Sequence, residues 1–311
     1  MSRRFLVTGG CGFIGSHLVT ALVSRGDTVV VIDDLSTGAR ENLSDCPGQF
    51  EIIQARVEDA DLAAIGRLDG VFHLAAQASV PLSVENLYTS SLTNLSSTLR
   101  VIDHCSRQRL PLVYASSSAV YGNLPIGAED GSVDLLSPYA ADKLASEIYS
   151  AVAHQLYGLR SYGLRFFNVF GPRQSPDSAY SGVIAIFVGR LLRRQPLVIN
   201  GGHQTRDFVF VLDVVRGLLA ALDYLEANAV ATYSNLLTGR SISIDQLVDA
   251  LSYLLGVTPE RVYQPLPPGD PEASLGETRR MEQQLRLGAM TALDSGLSAT
   301  IDWMQNSNAR S

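Results

Sequence analysis

Gly9, Gly12 and Gly15 stand three apart: Gly9 directly follows the run Phe5-Leu6-Val7-Thr8, Gly12 directly precedes an apolar stretch that opens at Phe13, and Gly15 lies in the first turn of that stretch. A strand that enters a helix through three such glycines is suited to a tight bend, to close backbone approach to a pyrophosphate, and to close packing of helix on strand. Neutral N–H donors at the helix N-terminus then hold the anion.

The rest of the first half repeats that rhythm. Short β-branched runs at 5–9, 28–33, 50–55, 70–75 and 111–117 alternate with segments of helical periodicity at 13–25, 84–106 and 138–157, and 161–169 reads as a further strand. Such alternation predicts an α/β fold with a Rossmann-type, doubly wound parallel sheet. Beyond about residue 171, Pro- and Gly-containing loops separate helical stretches at 181–194, 212–226 and 244–255. The expected organisation is a dinucleotide-binding domain over 1–170 and, over 171–311, mainly a smaller substrate-binding lobe, with some later segments returning to the first domain. Asp33, at the end of the second strand, offers an acceptor for ribose hydroxyls. With Asp34 beside it, a 2′-phosphate is repelled, so NAD is expected over NADP.

Composition narrows the partners. The 311 residues carry 24 basic against 31 acidic side chains, a net charge of -7, which is not a nucleic-acid footprint. Hydrophobic residues at 46% and charged residues at 18% support a sizeable core. No apolar run reaches the roughly 18 to 20 residues that span a bilayer, so no membrane partner is expected. MSRRFLVTGG contains no signal-peptide apolar region. Cys11, Cys46 and Cys105 are odd in number and scattered, which disfavours a disulfide framework or a zinc cluster and points to the cytoplasm.

One count is sharper. Of the 24 basic residues 23 are arginine, and the single lysine is Lys143. It follows Tyr139 by four positions in a segment opened by Ser137-Pro138, a favourable N-cap and first-turn pair, so the two side chains share a helix face. An adjacent ammonium and an oxidised nicotinamide both favour the phenolate of Tyr139, making it a general acid/base for a sugar hydroxyl. Ser116-Ser117-Ser118 closes the fifth strand, at the carboxyl edge where parallel sheets place their sites. A coding bias toward arginine, with Lys143 as one surviving surface lysine, is the competing explanation.

TGGCGFIG, VVVIDDLSTG, HLAAQ, SSSAVYG, YAADK, RFFNVFGPRQ and TRDFVFV, in this order, resemble the extended short-chain dehydrogenase/reductases, and within them the nucleotide-sugar C4 epimerases that act on UDP-hexoses. The resemblance runs from about residue 4 to about residue 304. It implies that Gly9, Gly12, Phe13, Ile14, Gly15, Asp33 and Lys143 hold NAD, with Ala75 and Ala76 lining its cleft. It makes Ser117, Tyr139 and Lys143 the catalytic set. Ser79, Ser117, Asn168, Val183, Asn200, Arg206, Asp270 and Ser274 fall to the UDP-sugar, with Arg206 on its phosphates. The implied chemistry is redox without net redox: C4 is oxidised to a ketone, the intermediate turns over, and hydride returns on its other face. Ser118-Ala119 stand where 4,6-dehydratases resembling this chain carry Asp-Glu, and the acidic residue of UDP-glucuronate decarboxylases is also missing.

Ser274 lies four residues after Asp270 in a loop, Pro267 to Ser274, that resembles the segment closing on substrate. The family's gatekeeper there is a bulky Tyr in enzymes restricted to glucose and galactose, so a serine implies room for an N-acetyl group. The expected reaction interconverts UDP-GlcNAc and UDP-GalNAc, together with UDP-Glc and UDP-Gal. Epimerases restricted to UDP-glucose or acting on UDP-glucuronate, and a non-catalytic NAD-sensing protein, are the alternatives. Two positions depart from the pattern. Pro267 replaces an expected phosphate-binding arginine, for which Arg173, Arg279 or Arg280 could substitute, and Arg56 stands where an acid near the adenine is expected. His73, Cys11 and Trp303 read as packing residues and Arg193-Arg194 as a solvated helix end. Leu144, Ile148, Val152 and Leu156 fit the family's homodimer bundle or the core.

Overall fold

The computed structural model describes residues 2–176, 182–266 and 270–308. Its centre is a parallel sheet of β1 (Arg4–Thr8), β2 (Thr28–Asp33), β3 (Phe50–Gln54), β4 (Gly70–His73), β5 (Leu112–Ser117), β6 (Ser161–Phe166) and β10 (Ala231–Leu236), in the spatial order β10-β6-β5-β4-β1-β2-β3. The order reverses between β1 and β4, so a cleft opens at the carboxyl ends of those two strands. β10 comes from the second half of the chain and completes the sheet.

The strands read as continuous apolar runs because both faces are covered. Phe5 and Val7 of β1 point into one cluster with Leu18, Val19 and Leu22 of α1 (Phe13–Ser24) and with Leu218 and Leu222 of α7 (Val211–Ala227). Leu6, between them, points the other way and packs with Val30, Ile32, Val71 and Val101. The smaller lobe has its own core, where Ile184 and Val188 of α6 (Val183–Leu192) meet Phe208, Leu247 and Leu251, with Trp303 half-buried at its edge. Its strands form two small sheets. β7 (Asn168–Phe170), β9 (Thr205–Phe210) and β11 (Ser241–Ser243) make one, and β8 (Leu197–Asn200) with β12 (Arg261–Gln264) the other. α8 (Ile244–Leu255), α9 (Arg279–Leu285) and α10 (Leu293–Asn308) complete the order. No helix among the described residues is long and apolar enough to cross a membrane.

Two elements differ from the expected boundaries. The strand expected over 161–169 ends at Phe166. Asn168–Phe170 leaves the central sheet to pair with β9, which carries the chain into the second lobe. The helix expected over 84–106 is α2 (Val80–Glu85), α3 (Leu87–Ser91), a π-helical turn at Leu92–Ser96 and α4 (Ser97–Gln108). Asn86, at φ -131°, breaks the first part. The π turn carries Asn94, whose buried amide accepts from the Gln77 N–H at 2.8 Å and donates to the Gln77 carbonyl at 3.1 Å. One extra residue per turn aims that side chain at the segment following β4.

Candidate active site

The glycine turn is steric necessity at two points. A Cβ on Gly15 would lie 2.0 Å from the Gly9 carbonyl oxygen, and one on Gly9 would lie 2.7 Å from the Ala75 nitrogen. Gly9 also has φ +70°. The same closeness brings Ala75 and Ala76 against the turn, where Thr8 Oγ1 accepts the Leu74 and Ala75 N–H groups, each at 3.2 Å. α1 starts with Gly12 as N-cap, without a side-chain cap and without an acid in its first turn. Its first N–H groups, including those of Phe13 and Ile14, have no intrahelical partner and suit a pyrophosphate.

Asp33 sits beside this turn. Its carboxylate accepts the Cys11 N–H and the Leu35 N–H, both at 2.9 Å. Burial raises its pKa above the usual carboxylate value, against the pull of those N–H donors. Each oxygen keeps a second lone pair, so ribose hydroxyls remain within its capacity. These residues together fit NAD.

α5 (Pro138–Tyr157) carries the candidate acid/base pair, Tyr139 and Lys143. Ser137 caps it by accepting the Ala140 N–H at 3.2 Å, and Tyr139 and Lys143 are 9% and 6% exposed. Lys143 Nζ donates to the Ala115 carbonyl of β5 at 2.9 Å and stands 5.7 Å from the centre of the Tyr139 ring. Burial lowers the Lys143 pKa to about 8, while the neighbouring Asp142 carboxylate acts to raise it. Burial raises the Tyr139 pKa, and a hydrogen bond with Ser117 works in the opposite direction. Ser117 also accepts the Ala119 N–H at 3.1 Å, which fixes its rotamer at the strand end. The buried ammonium and phenol and the half-buried Ser117 hydroxyl therefore form one cluster. His73 is bound on both ring nitrogens, by Thr8 Oγ1 at 2.7 Å and Thr98 Oγ1 at 3.1 Å, and burial lowers its pKa to about 3. It is a neutral packing group.

Ser79 caps α2 through the Leu82 N–H at 3.2 Å, leaving its own proton for another acceptor. Asn168 begins β7 and is exposed, Val183 is the first residue of α6, and Asn200 is the exposed end of β8. Arg206, nearly buried on β9, donates to Asp270 Oδ1 at 3.0 Å. The Thr205 N–H donates to the Glu272 carbonyl at 2.9 Å, and the Ser274 N–H to the Thr205 carbonyl at 3.0 Å. Arg206, Asp270 and the half-buried Ser274 are thus held together by one short ladder. Pro267, Pro268 and Gly269 lie outside the described residues.

The arginines considered as substitutes for Pro267 are placed elsewhere. Arg173 donates to Thr20 on α1 at 3.2 Å, Arg280 is paired with Asp130 and the Tyr233 carbonyl, and Arg279 is an exposed partner of Glu277 at 3.6 Å. Arg56 donates to Thr93 Oγ1 at 2.9 Å and pairs with Glu58. Among the interface candidates, Leu144 packs against the core, whereas Ile148, Val152 and Leu156 are exposed. Motif reading missed Asn94, Asp142, Glu147 and Arg165. Asn94 Nδ2 reaches Asp142 Oδ2 at 3.4 Å, and the other two are described below.

Comparison with known proteins agrees with this architecture. The UDP-N-acetylglucosamine 4-epimerase of Methanobrevibacter ruminantium M1, solved with UDP-N-acetylmuramic acid, is 34% identical, with a TM-score of 0.92 over 98% of this chain and 99% of that one. The Thermus thermophilus UDP-glucose 4-epimerase, solved with NAD, is 34% identical, with a TM-score of 0.87 over 97% and 99%. The Bacillus cereus UDP-glucuronic acid 4-epimerase, solved with UDP-glucuronic acid and NAD, is 30% identical, with a TM-score of 0.89 over 97% and 99%. A family profile matches residues 5–234, and the chain belongs to the NAD dependent epimerase/dehydratase family.

Proposed function

We propose that the protein is an NAD-using UDP-sugar C4 epimerase that interconverts UDP-GlcNAc and UDP-GalNAc, with UDP-Glc and UDP-Gal as further substrates. The observation that carries this reading is the placement of Ser274, a small half-buried residue, on the same ladder as Arg206, in a chain whose Tyr139, Ser117 and Lys143 form one cluster. A serine at this point leaves space for a 2-acetamido group that a tyrosine would fill.

Gly9, Gly12, Phe13, Ile14, Gly15, Asp33, Ala75 and Ala76 hold the cofactor, with Lys143 at its nicotinamide ribose. Bound there, NAD would supply the acceptor, and then the source, of the hydride at C4. Tyr139 takes the proton of the sugar O4 and later gives it back, and Ser117 hydrogen-bonds the same oxygen. Lys143 supplies the positive charge that offsets the burial of the phenolate. Arg206 binds the diphosphate, and Asn168, the Val183 backbone and Asn200 line the nucleotide side. Exposed Ile148, Val152 and Leu156 on α5, with Val84, Leu87 and Tyr88, form the face through which two copies pair as a homodimer.

Incubating the purified protein with UDP-GlcNAc, UDP-Glc and UDP-glucuronate separately, without added cofactor, and following products by NMR tests the reading. UDP-GalNAc should form. Epimerisation of UDP-Glc or UDP-glucuronate alone would overturn the substrate assignment, and no epimer from any of the three would overturn the activity.

A further inference from the structure

Tyr139, Lys143 and Glu147 lie four residues apart on α5, and the third of them serves no step of the chemistry. Glu147 is 5% exposed, and its partner Arg165, on β6, is 2% exposed. The pairing is bidentate: Arg165 Nε donates to Glu147 Oε1 at 2.8 Å and Nη2 to Oε2 at 2.6 Å. Burial opposes the Arg165 charge, and the hydrogen bonds and charge of Glu147 outweigh it, so the pKa is held above its ordinary value. Ser116, next to Ser117, donates to Glu147 Oε1 at 2.5 Å. The pair therefore fixes the reactive face of α5 against the ends of β5 and β6. A buried ion pair is an expensive way to gain stability, since apolar residues of similar volume often do as well. What it provides is direction.

The third guanidinium nitrogen points away from α5. Arg165 Nη1 donates to the Tyr121 hydroxyl at 2.8 Å, which donates in turn to Asn235 Oδ1 at 2.6 Å. Asn235 Nδ2 donates to the Gly127 carbonyl at 2.9 Å and to the Glu277 carbonyl at 3.1 Å. Gly127 pairs with the segment after Ser274: its N–H donates to the Leu275 carbonyl at 2.8 Å, and it accepts the Glu277 N–H at 3.0 Å. There is no slack in this contact. A Cβ on Gly127 would meet the Tyr121 ring at 2.4 Å, and one on Gly276 the Phe167 ring at 2.5 Å.

We propose that Glu147, Arg165, Tyr121 and Asn235 are positioning residues that form one hydrogen-bonded relay between the acid/base helix and the segment carrying Ser274. Seating of a UDP-sugar under that segment and alignment of Tyr139 are then one cooperative event. The inference rests on the reading of 270–274 as the substrate-closing segment. Coupling of this kind has to be shown by a response at one end to a ligand at the other.

Tyr121→Phe removes the single oxygen that joins Arg165 to Asn235 and keeps the ring. The experiment is hydrogen exchange on the NAD-loaded protein with and without UDP, which lacks the sugar and so cannot touch Tyr139 directly. In the wild type, UDP should slow exchange in 272–277 and also in 139–147. In Tyr121→Phe the first effect should persist and the second vanish. With UDP-GlcNAc the variant should lose about three- to tenfold in kcat, more than it loses in affinity for UDP. If UDP leaves 272–277 unchanged in the wild type, the substrate-closing reading fails and the relay with it. If 272–277 responds while 139–147 responds equally in both proteins, or in neither, the relay alone is overturned. An unresponsive α5 in the wild type is by itself sufficient refutation.

Discussion

Replacing Lys143 by Met removes one charge and little volume, so its effect can be worked from geometry. The ammonium lies 5.7 Å from the Tyr139 ring centre. Two unit charges at that separation interact by about 3 kcal/mol at an effective dielectric near 20, which is about two pKa units on the phenolate. At neutral pH the population of phenolate, and with it kcat, should fall roughly 100-fold. The pH profile should change form as well. Burial brings the folded-state pKa of Lys143 down from 10.5 to about 8, so the charge is lost as pH rises through that value. The wild type should decline in kcat/KM above about pH 8, and the Met variant should lack that limb. Stability runs in the opposite direction. Below pH 8 the lysine is charged in both states, and the fold bears the cost of burying the ammonium, about 3 kcal/mol for the shift from 10.5 to about 8. That cost disappears between pH 8 and 10.5, as the folded state releases its proton first. The Met variant should therefore unfold in urea at neutral pH no earlier than the wild type. Lys143→Arg keeps the charge but cannot place a compact ammonium 2.9 Å from the Ala115 carbonyl, and should lose activity too. Near-wild-type turnover in either variant would refute this account and return the single lysine to coding bias.

Ser274→Tyr should reduce kcat/KM for UDP-GlcNAc by about 100-fold and leave UDP-Glc epimerisation largely intact; equal losses on both would remove the gatekeeper argument. Gly15→Ala forces a methyl carbon against the Gly9 carbonyl, and the protein should purify with little NAD and lose about 1 to 3 kcal/mol in urea unfolding. Val152→Glu places a charge in the exposed apolar stripe of α5 and should halve the mass seen by light scattering; an unchanged mass would mean that the stripe is not the dimer face.

Much of the first lobe was legible because its signals are local. The β1 run, the glycine spacing and each single strand or helix of the alternation occupy fewer than about two dozen residues, and the buried parallel strands announce themselves as unbroken apolar runs. Tyr139 and Lys143 were legible for the same reason, since four residues on a helix fix a shared face. The relay was not. Glu147 and Arg165 are 18 residues apart on different elements, and Tyr121 and Asn235 are separated by 114. No periodicity reports a polar side chain whose partner arrives from another strand. Asn94 was hidden differently: it lies in a π turn between α3 and α4, outside the regular helical period by which a sequence is read.

The departure at Arg56 shows what position-by-position comparison loses. An acid is expected after β3 and an arginine is found, which by itself reverses the local charge. In the fold, Arg56 pairs with Glu58, whose side chain is 13% exposed, and also donates to Thr93. The neighbouring Ala55 N–H donates to the Asp33 carbonyl at 3.2 Å, so this pair stands beside the strand end that carries Asp33, the proposed ribose acceptor. A carboxylate is present at that rim, attached two residues downstream of the expected place. The charge of such an edge is set by what the fold gathers there: Glu58 cancels the Arg56 charge, so the substitution makes this rim neutral and does not reverse its sign.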